Sequence, residues 1–226
     1  MGETRAILGL STKFNGNMRL ADSDGLKNRQ LFFQLHGLDY DQQAVSAGLQ
    51  HETNVVVIKE QRGRIPNCDS LITKETGVVL CVAAGDCIPV YFRDEGRGII
   101  GMAHAGWRGL LKGIIPETIA ALQKLGANVD CLRVTTGPHI QKCHFTITEE
   151  LLPDFSNYSD FIEKGRNGYN IDLRSILFSQ LLENGLNYNN IAATTECTFC
   201  RADRYFSFRR DRIARNFLAF IWQNRF

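Results

Sequence analysis

Val78-Val79-Leu80-Cys81-Val82-Ala83-Ala84 is an unbroken apolar run held between Gly77 and Gly85, and nothing else in the chain restricts its fold as much. A strand with one wet face alternates, whereas a continuous run predicts a strand covered on both faces. At 226 residues the chain can bury a sizeable core, and its length fits one larger domain or two small ones. Pro, Gly and Ser cluster nowhere for long, no block of like charge appears and no segment repeats at a fixed period. One domain over residues 1–226 is the simplest organisation.

The run leads into Gly85-Asp86-Cys87-Ile88-Pro89-Val90. A second apolar stretch, Gly98-Ile99-Ile100-Gly101-Met102-Ala103, then delivers His104-Ala105-Gly106-Trp107-Arg108-Gly109. Cys87 and His104 therefore stand at strand ends, flanked by small residues that allow close approach of backbone or ligand. Taken alone, such residues are more often core packing than ligands. A third candidate changes the balance: His51, in Gln50-His51-Glu52-Thr53, precedes the apolar strand Val55–Ile58. Arg108 falls in the first turn of a helix predicted after His104, a place that favours anions.

Other elements follow from pattern. Ala6–Leu10 reads as a first strand, and Asp24 as the cap of a helix from Leu26 to about His36, stopped by Gly37. Val55–Ile58 reads as a buried strand from its β-branched content, and Arg62–Asn67 as a turn. Ser70–Thr73, Val78–Ala84, Pro89–Arg93 and Arg97–His104 read as successive strands. Helix is predicted from Trp107 to about Leu125, kinked or restarted at Pro116 and ended by Gly126. Val129–Thr136 and Ile191–Thr195 read as strands. Thr148 and Asp172 each begin a core helix, the second stopped by Gly185. Tyr205–Arg209 alternates like a strand, and Asn216–Trp222 is a closing apolar strand or helix.

A formal charge of +2 gives no nucleic-acid footprint, although Arg201–Arg215 holds six arginines in fifteen residues. The N-terminus lacks the marks of a signal peptide, and no apolar run is long enough to span a membrane. A cytoplasmic protein is expected. Seven cysteines at irregular spacing do not form a disulfide framework, so each is a packed apolar residue, a ligand or a nucleophile. Packing is the expectation for Cys68, Cys81 and Cys131. Cys197-Thr198-Phe199-Cys200 is a single Cys-x-x-Cys with no second pair, a weak signal for zinc. His139, Cys143 and His144 are candidates for a second metal site, with nothing in the sequence to fix which way they face.

Five segments in order, Gln50-His51, Cys68-Asp69-Ser70-Leu71-Ile72-Thr73, Gly85–Val90, His104–Gly109 and Phe206-Ser207-Phe208-Arg209-Arg210-Asp211, resemble the laccase-domain family. Its bacterial members are labelled polyphenol oxidase, zinc-dependent purine nucleoside phosphorylase or peptidoglycan editing factor. The resemblance implies an α+β fold, a layered α-β-β-α sandwich with mixed sheets that is likened to cysteine hydrolases; pattern alone gives only mixed α and β. It also implies one zinc on His51, Cys87 and His104. Three protein ligands leave a tetrahedral ion one open position, as in catalytic zinc sites.

The implied substrates are purine nucleosides and phosphate: phosphorolysis of adenosine, inosine, guanosine and methylthioadenosine, and deamination of adenosine. Asp86, beside a ligand, is expected to orient a ring N–H or carry a proton, and is equally a plain turn carboxylate. Arg108, Arg209 and Arg210 are phosphate candidates, and equally salt-bridged scaffold. Lys13 stands where the family usually has arginine, keeping the charge without the bidentate fork.

Two rival activities come with the family. A laccase-like polyphenol oxidase would hold copper at the same His₂Cys set with Met102, on the same strand face as His104. A trinuclear copper cluster, however, needs more imidazoles than the five histidines present. A hydrolase that edits peptidoglycan precursors would use the same zinc, or Cys87 as nucleophile paired with His104. The oligomeric state is not legible.

Overall fold

The computed structural model describes residues 4–225. Its strands are β1 (Thr4–Leu10), β2 (Ala44–Gly48), β3 (Val55–Ile58), β4 (Gly63–Pro66), β5 (Ser70–Thr73), β6 (Val79–Ala84) and β7 (Ile88–Asp94). These are followed by β8 (Ile99–Ala105), β9 (Arg133–Thr136), β10 (Thr146–Ile147), β11 (Ile162–Gly165), β12 (Gly168–Ile171), β13 (Ile191–Ala193) and β14 (Phe217–Arg225). The helices are α1 (Gly25–Gln34), α2 (Tyr40–Gln43), α3 (Trp107–Lys112), α4 (Ile114–Leu125), α5 (Leu173–Glu183) and α6 (Phe208–Asp211).

The apolar run becomes β6, and it is covered on both faces. Its neighbours in a five-stranded sheet, ordered β1-β14-β6-β2-β4, are β14 and β2. Val79 and Cys81 pack outward with Phe32, Phe33, Leu218 and Phe220, the layer under α1. Leu80 and Val82 pack inward with Leu71, Tyr91, Ile100 and Met102 of the second sheet. Complete burial of a side chain such as Leu80 stabilises by about 2 kcal/mol relative to exposure. The second sheet, ordered β13-β9-β7-β8-β5-β3, turns its other face to α3, α4 and α5, where Val90, Phe92, Leu110, Ile115, Leu122 and Ile176 share a cluster. The layering is α-β-β-α with two mixed sheets, and a small sheet, β10-β12-β11, lies beside it.

Strand direction places the functional end. β2, β4 and β6 are parallel to one another in the first sheet. In the second sheet β3 is parallel to β5, and both β5 and β7 are antiparallel to β8. Each link β2→β3, β4→β5 and β6→β7 therefore crosses between the sheets at the same end, and β8 finishes there too.

Several elements differ from expectation for local reasons. The helix after His104 breaks at Gly113, whose φ of 95° suits glycine. Pro116 instead sits in the first turn of α4, where no N–H is required. β3 is an edge strand with Val57 exposed rather than a buried one. Arg62–Asn67 contains the edge strand β4. The segment begun by Thr148 is a run of 3₁₀ turns, Glu149–Phe161, that buries only Phe155. Tyr205–Arg209 is not a strand: Ser207 caps the short helix α6, its side chain accepting from the Arg210 amide. Asp172 caps α5 through the Ser175 amide, as expected.

Candidate active site

The link β2→β3 carries His51, β4→β5 carries Asp69, β6→β7 carries Cys87, and His104 lies at the end of β8. Four residues scattered over more than fifty positions thus meet at one rim. Cys87 Sγ lies 3.8 Å from His51 Nε2, and the His51 and His104 rings stand edge to face with centroids 4.9 Å apart. One ligand atom from each of His51, Cys87 and His104 falls within 4.8 Å of the others.

Asp69, fully buried, organises this arrangement. Its Oδ1 accepts from His104 Nδ1 at 2.9 Å and from the His51 amide at 3.0 Å. Oδ2 accepts from the amides of Gln50 and Glu52, each at 3.0 Å. The His104 amide in turn donates to the Asp69 carbonyl at 2.7 Å. Burial alone would raise this carboxyl, but the His104 bond and the Glu52 and Gln50 amides outweigh it and hold it down at about 2. The hydrogen bond fixes His104 with Nδ1 protonated and Nε2 free for an ion. The same amide cradle holds the turn at His51, whose φ is 61°, in the left-handed region that residues bearing a Cβ enter at a cost.

In the metal-free chain the sulfur and the buried imidazole share charge. Burial opposes the Cys87 thiolate, yet His104 and His51 bring the thiol down to about 6. Burial likewise opposes the His104 imidazolium, yet Cys87 and Asp69 lift it to about 9. A thiolate beside two imidazoles, one already oriented by a carboxylate, is a donor set suited to zinc. The S–N separation agrees: ligand bonds of ordinary length around a tetrahedral zinc put sulfur and nitrogen about 3.6 Å apart. Gly106 makes room, because a Cβ there would lie 2.8 Å from His51 Cδ2 and 3.0 Å from Cys87 Sγ.

These three side chains line a cavity of ≈ 500 Å³, a size suited to a small organic ligand. Its lining combines apolar Leu49, Ile140, Phe145 and Phe208 with cationic Arg108, Arg209, Arg212 and Arg215. Arg108 stacks its guanidinium 4.2 Å from the Trp107 ring centre and is exposed at the rim. Arg209 lies over Phe145 and donates to the carbonyls of His144 and Thr146, the latter at 2.8 Å.

Other expected residues take different places. Both carboxylate oxygens of Asp86 are occupied away from the rings, by Thr198 Oγ1 at 2.6 Å and by the Arg209 amide at 2.7 Å. The ring-orienting part falls to Asp69 instead. Arg210 bolts the scaffold through the carbonyls of Thr198, Phe199 and Tyr205 and an ion pair with Asp211. Lys13 donates to the Ala202 carbonyl at 2.9 Å, and neither residue lines the cavity. Met102 is buried between the sheets and also lies off the cavity. Asp69 carried no signal of its own beyond its place in the Cys-Asp-Ser-Leu-Ile-Thr segment. Arg212 and Arg215 were visible only as part of a basic stretch.

Residues 9–224 match the family described as "Multi-copper polyphenol oxidoreductase laccase". Among curated proteins, the purine nucleoside phosphorylase YlmD of Geobacillus stearothermophilus is 31% identical over 96% of this chain and 89% of its own length. Adenosine deaminase RL5, from an unknown prokaryotic organism, is 30% identical over 68% of this chain; the chain spans only 61% of that relative's length. The crystal structure of YlmD from Geobacillus stearothermophilus superposes with a TM-score of 0.91 at 27% identity, covering 97% of this chain and 92% of that one. Among the described residues no helix is long and apolar enough to cross a membrane.

Proposed function

Because the chain belongs to the multi-copper polyphenol oxidoreductase laccase family, we propose that it processes purine nucleosides, with one zinc held by His51, Cys87 and His104. Its reactions in this reading are phosphorolysis of adenosine, inosine, guanosine and methylthioadenosine, and deamination of adenosine. The observation that carries the reading is the opening of the His51–Cys87–His104 cluster onto a cavity lined by both apolar side chains and arginines. Relatives named as purine nucleoside phosphorylase and adenosine deaminase support it.

When bound, zinc supplies Lewis acidity at one open position. The chain supplies the rest. Leu49, Ile140, Phe145 and Phe208 offer apolar surface to a base in the cavity. Arg108, Arg209 and Arg212 offer a phosphate both charge and paired N–H donors. Phosphorolysis joins a phosphate oxygen to C1′ as the C1′–N9 bond breaks, and the base leaves with the bonding pair and takes up a proton. Arg108 is the phosphate-positioning group in this scheme, because it is exposed in the cavity lining and stacked on Trp107, whereas the Arg209 guanidinium is engaged by the His144 and Thr146 carbonyls. Asp86 positions rather than transfers a proton, holding Thr198 and the first turn of α6 beside Cys87. Asp69 keeps the His104 ring in register throughout.

The test is a nucleoside panel on zinc-loaded protein, with and without phosphate. Base release from inosine that requires phosphate, and is lost with zinc in His51→Ala, is the expected result. Fully zinc-loaded protein that turns over neither adenosine nor inosine plus phosphate would overturn the proposal.

A hydrolytic second reading has one observation in its favour, the lowered Cys87 thiol beside the raised His104. That pair is also what a cysteine nucleophile with its base requires. His51→Ala separates the two: a Cys87–His104 hydrolase keeps part of its activity, a zinc enzyme does not. A multicopper oxidase finds no such support, because only two of the five histidines reach the cavity.

A further inference from the structure

A second cluster lies outside the cavity. Strands β9 and β13 are parallel neighbours, so the loops that follow them leave the sheet together. The first loop brings Cys143 and His144, the second brings Cys197 and Cys200. They are stitched by a bridge between His139 and Cys197, and the Thr198 amide donates to the His139 carbonyl at 3.0 Å. All four side chains offer a ligand atom within 4.8 Å of the others, and none of the three cysteines is in a disulfide.

We propose that Cys143, His144, Cys197 and Cys200 bind a second zinc ion, structural in character, that clamps these two loops together. The separations support it: Cys143 Sγ and Cys200 Sγ are 3.8 Å apart, and zinc–sulfur bonds of ordinary length in a tetrahedron put sulfurs about 3.8 Å apart. His144 Nδ1 lies 3.1 Å from Cys143 Sγ and 3.3 Å from Cys200 Sγ. Its ring stacks on Phe199 at 3.9 Å, with only 14° between the planes, which fixes the direction of the nitrogen. The Cys197 sulfur accepts from the Gln141 amide at 3.4 Å, and the Phe199 and Cys200 amides also point at it. Convergent amides suit a sulfur that carries charge.

Three thiolates and one imidazole close a tetrahedron, leaving no open position, which distinguishes this site from the His₂Cys centre. His139 is not a ligand: its two ring nitrogens are taken by the Gly137 carbonyl and the Gln141 side chain, each at 2.9 Å. The clamp stands behind the cavity wall. Thr198, between the two cysteines, donates to Asp86, and Arg209 is anchored on the His144 and Thr146 carbonyls.

The test is the zinc content of protein purified under reducing conditions, measured for the wild type and for Cys143→Ser, Cys200→Ser and His51→Ala. Each cysteine variant is expected to hold one equivalent less than the wild type, with the cavity site read separately through His51→Ala. The difference reports the second site whether or not the first is loaded and whatever the nucleoside panel shows. Alkylation of the native wild type gives a readout that needs no variant: Cys143, Cys197 and Cys200 are expected to resist until a chelator is added. Equal zinc in the wild type and both cysteine variants, with those thiols freely alkylated, would overturn the proposal. So would isolation of a Cys143–Cys200 disulfide as the form present in reduced cells.

Discussion

Asp69 Oδ1 accepts from His104 Nδ1 at 2.9 Å and from the backbone amide of His51 at 3.0 Å, so one carboxylate sets two of the three groups around the candidate ion. It does so from a different inter-sheet link, and no contact with substrate is needed. Side-chain geometry at such a site is worth about 10–100-fold in metal affinity when an outer partner is removed.

Asp69→Ala is therefore expected to weaken zinc at the cavity site by about 10–100-fold, measured by competition with a chelator of known affinity. Asp69→Asn keeps one carbonyl acceptor for His104 but turns an amide N–H₂ toward backbone donors, and an intermediate loss is expected. Zinc affinity unchanged in both variants would show that His104 and the His51 turn hold their positions without the carboxylate.

Gly106 makes a sharper steric prediction. Its φ of −74° and ψ of 160° are open to any residue, so alanine is not excluded by backbone strain. The added methyl would instead press on His51 and Cys87, at 2.8 Å and 3.0 Å. Gly106→Ala is expected to cost ~1–3 kcal/mol of stability, as overpacking does, and to reduce zinc affinity by about tenfold or more through displacement of two ligands. Gly96→Ala, whose nearest contact would be Asp94 Oδ1 at 3.7 Å, is the control. Equal zinc affinity in the two variants would refute the steric account.

What the chain discloses before folding depends on whether the partner is local. The burial of β6 was legible because two covered faces need apolar residues at every position, and Val78–Ala84 supplies them. His51, Cys87 and His104 were legible as candidates because each stands beside small residues or a strand end in a recognisable segment. Asp69 was not, since an isolated aspartate looks the same whether it caps a turn or orients a ring, and its partners come from other links. The second cluster is legible only in halves, Cys143 and His144 as metal candidates and Cys197-x-x-Cys200 as a weak zinc signal: Cys143 and Cys200 are 57 positions apart, and only the parallel pairing of β9 with β13 brings their loops together. β4 looks like a turn in sequence because Gly63 and Pro66 punctuate it, both being tolerated on a sheet edge.

His139 provides a pH-dependent prediction for the metal-free protein. The ring is fully buried, with Nδ1–H donating to the Gly137 carbonyl and Nε2 accepting from Gln141. Burial is the largest influence on it and Arg174 acts in the same direction, while the Gly137 bond and Asp172 oppose; the result is a pKa of about 4. Unfolded, the ring titrates near ~6.5. Between these values the unfolded chain binds the extra proton, so stability rises with pH; it is complete above the unfolded value and lost as pH falls through the folded one. The full loss amounts to roughly 3 kcal/mol at ~1.4 kcal/mol per pH unit. His139→Gln removes the titration while leaving an amide to meet the same two partners. Urea unfolding of chelator-treated wild type and variant at intervals from pH 7 to pH 4 is expected to show a shallower decline in the variant. Parallel declines would mean that the buried ring takes up its proton in the folded chain as readily as in the unfolded one.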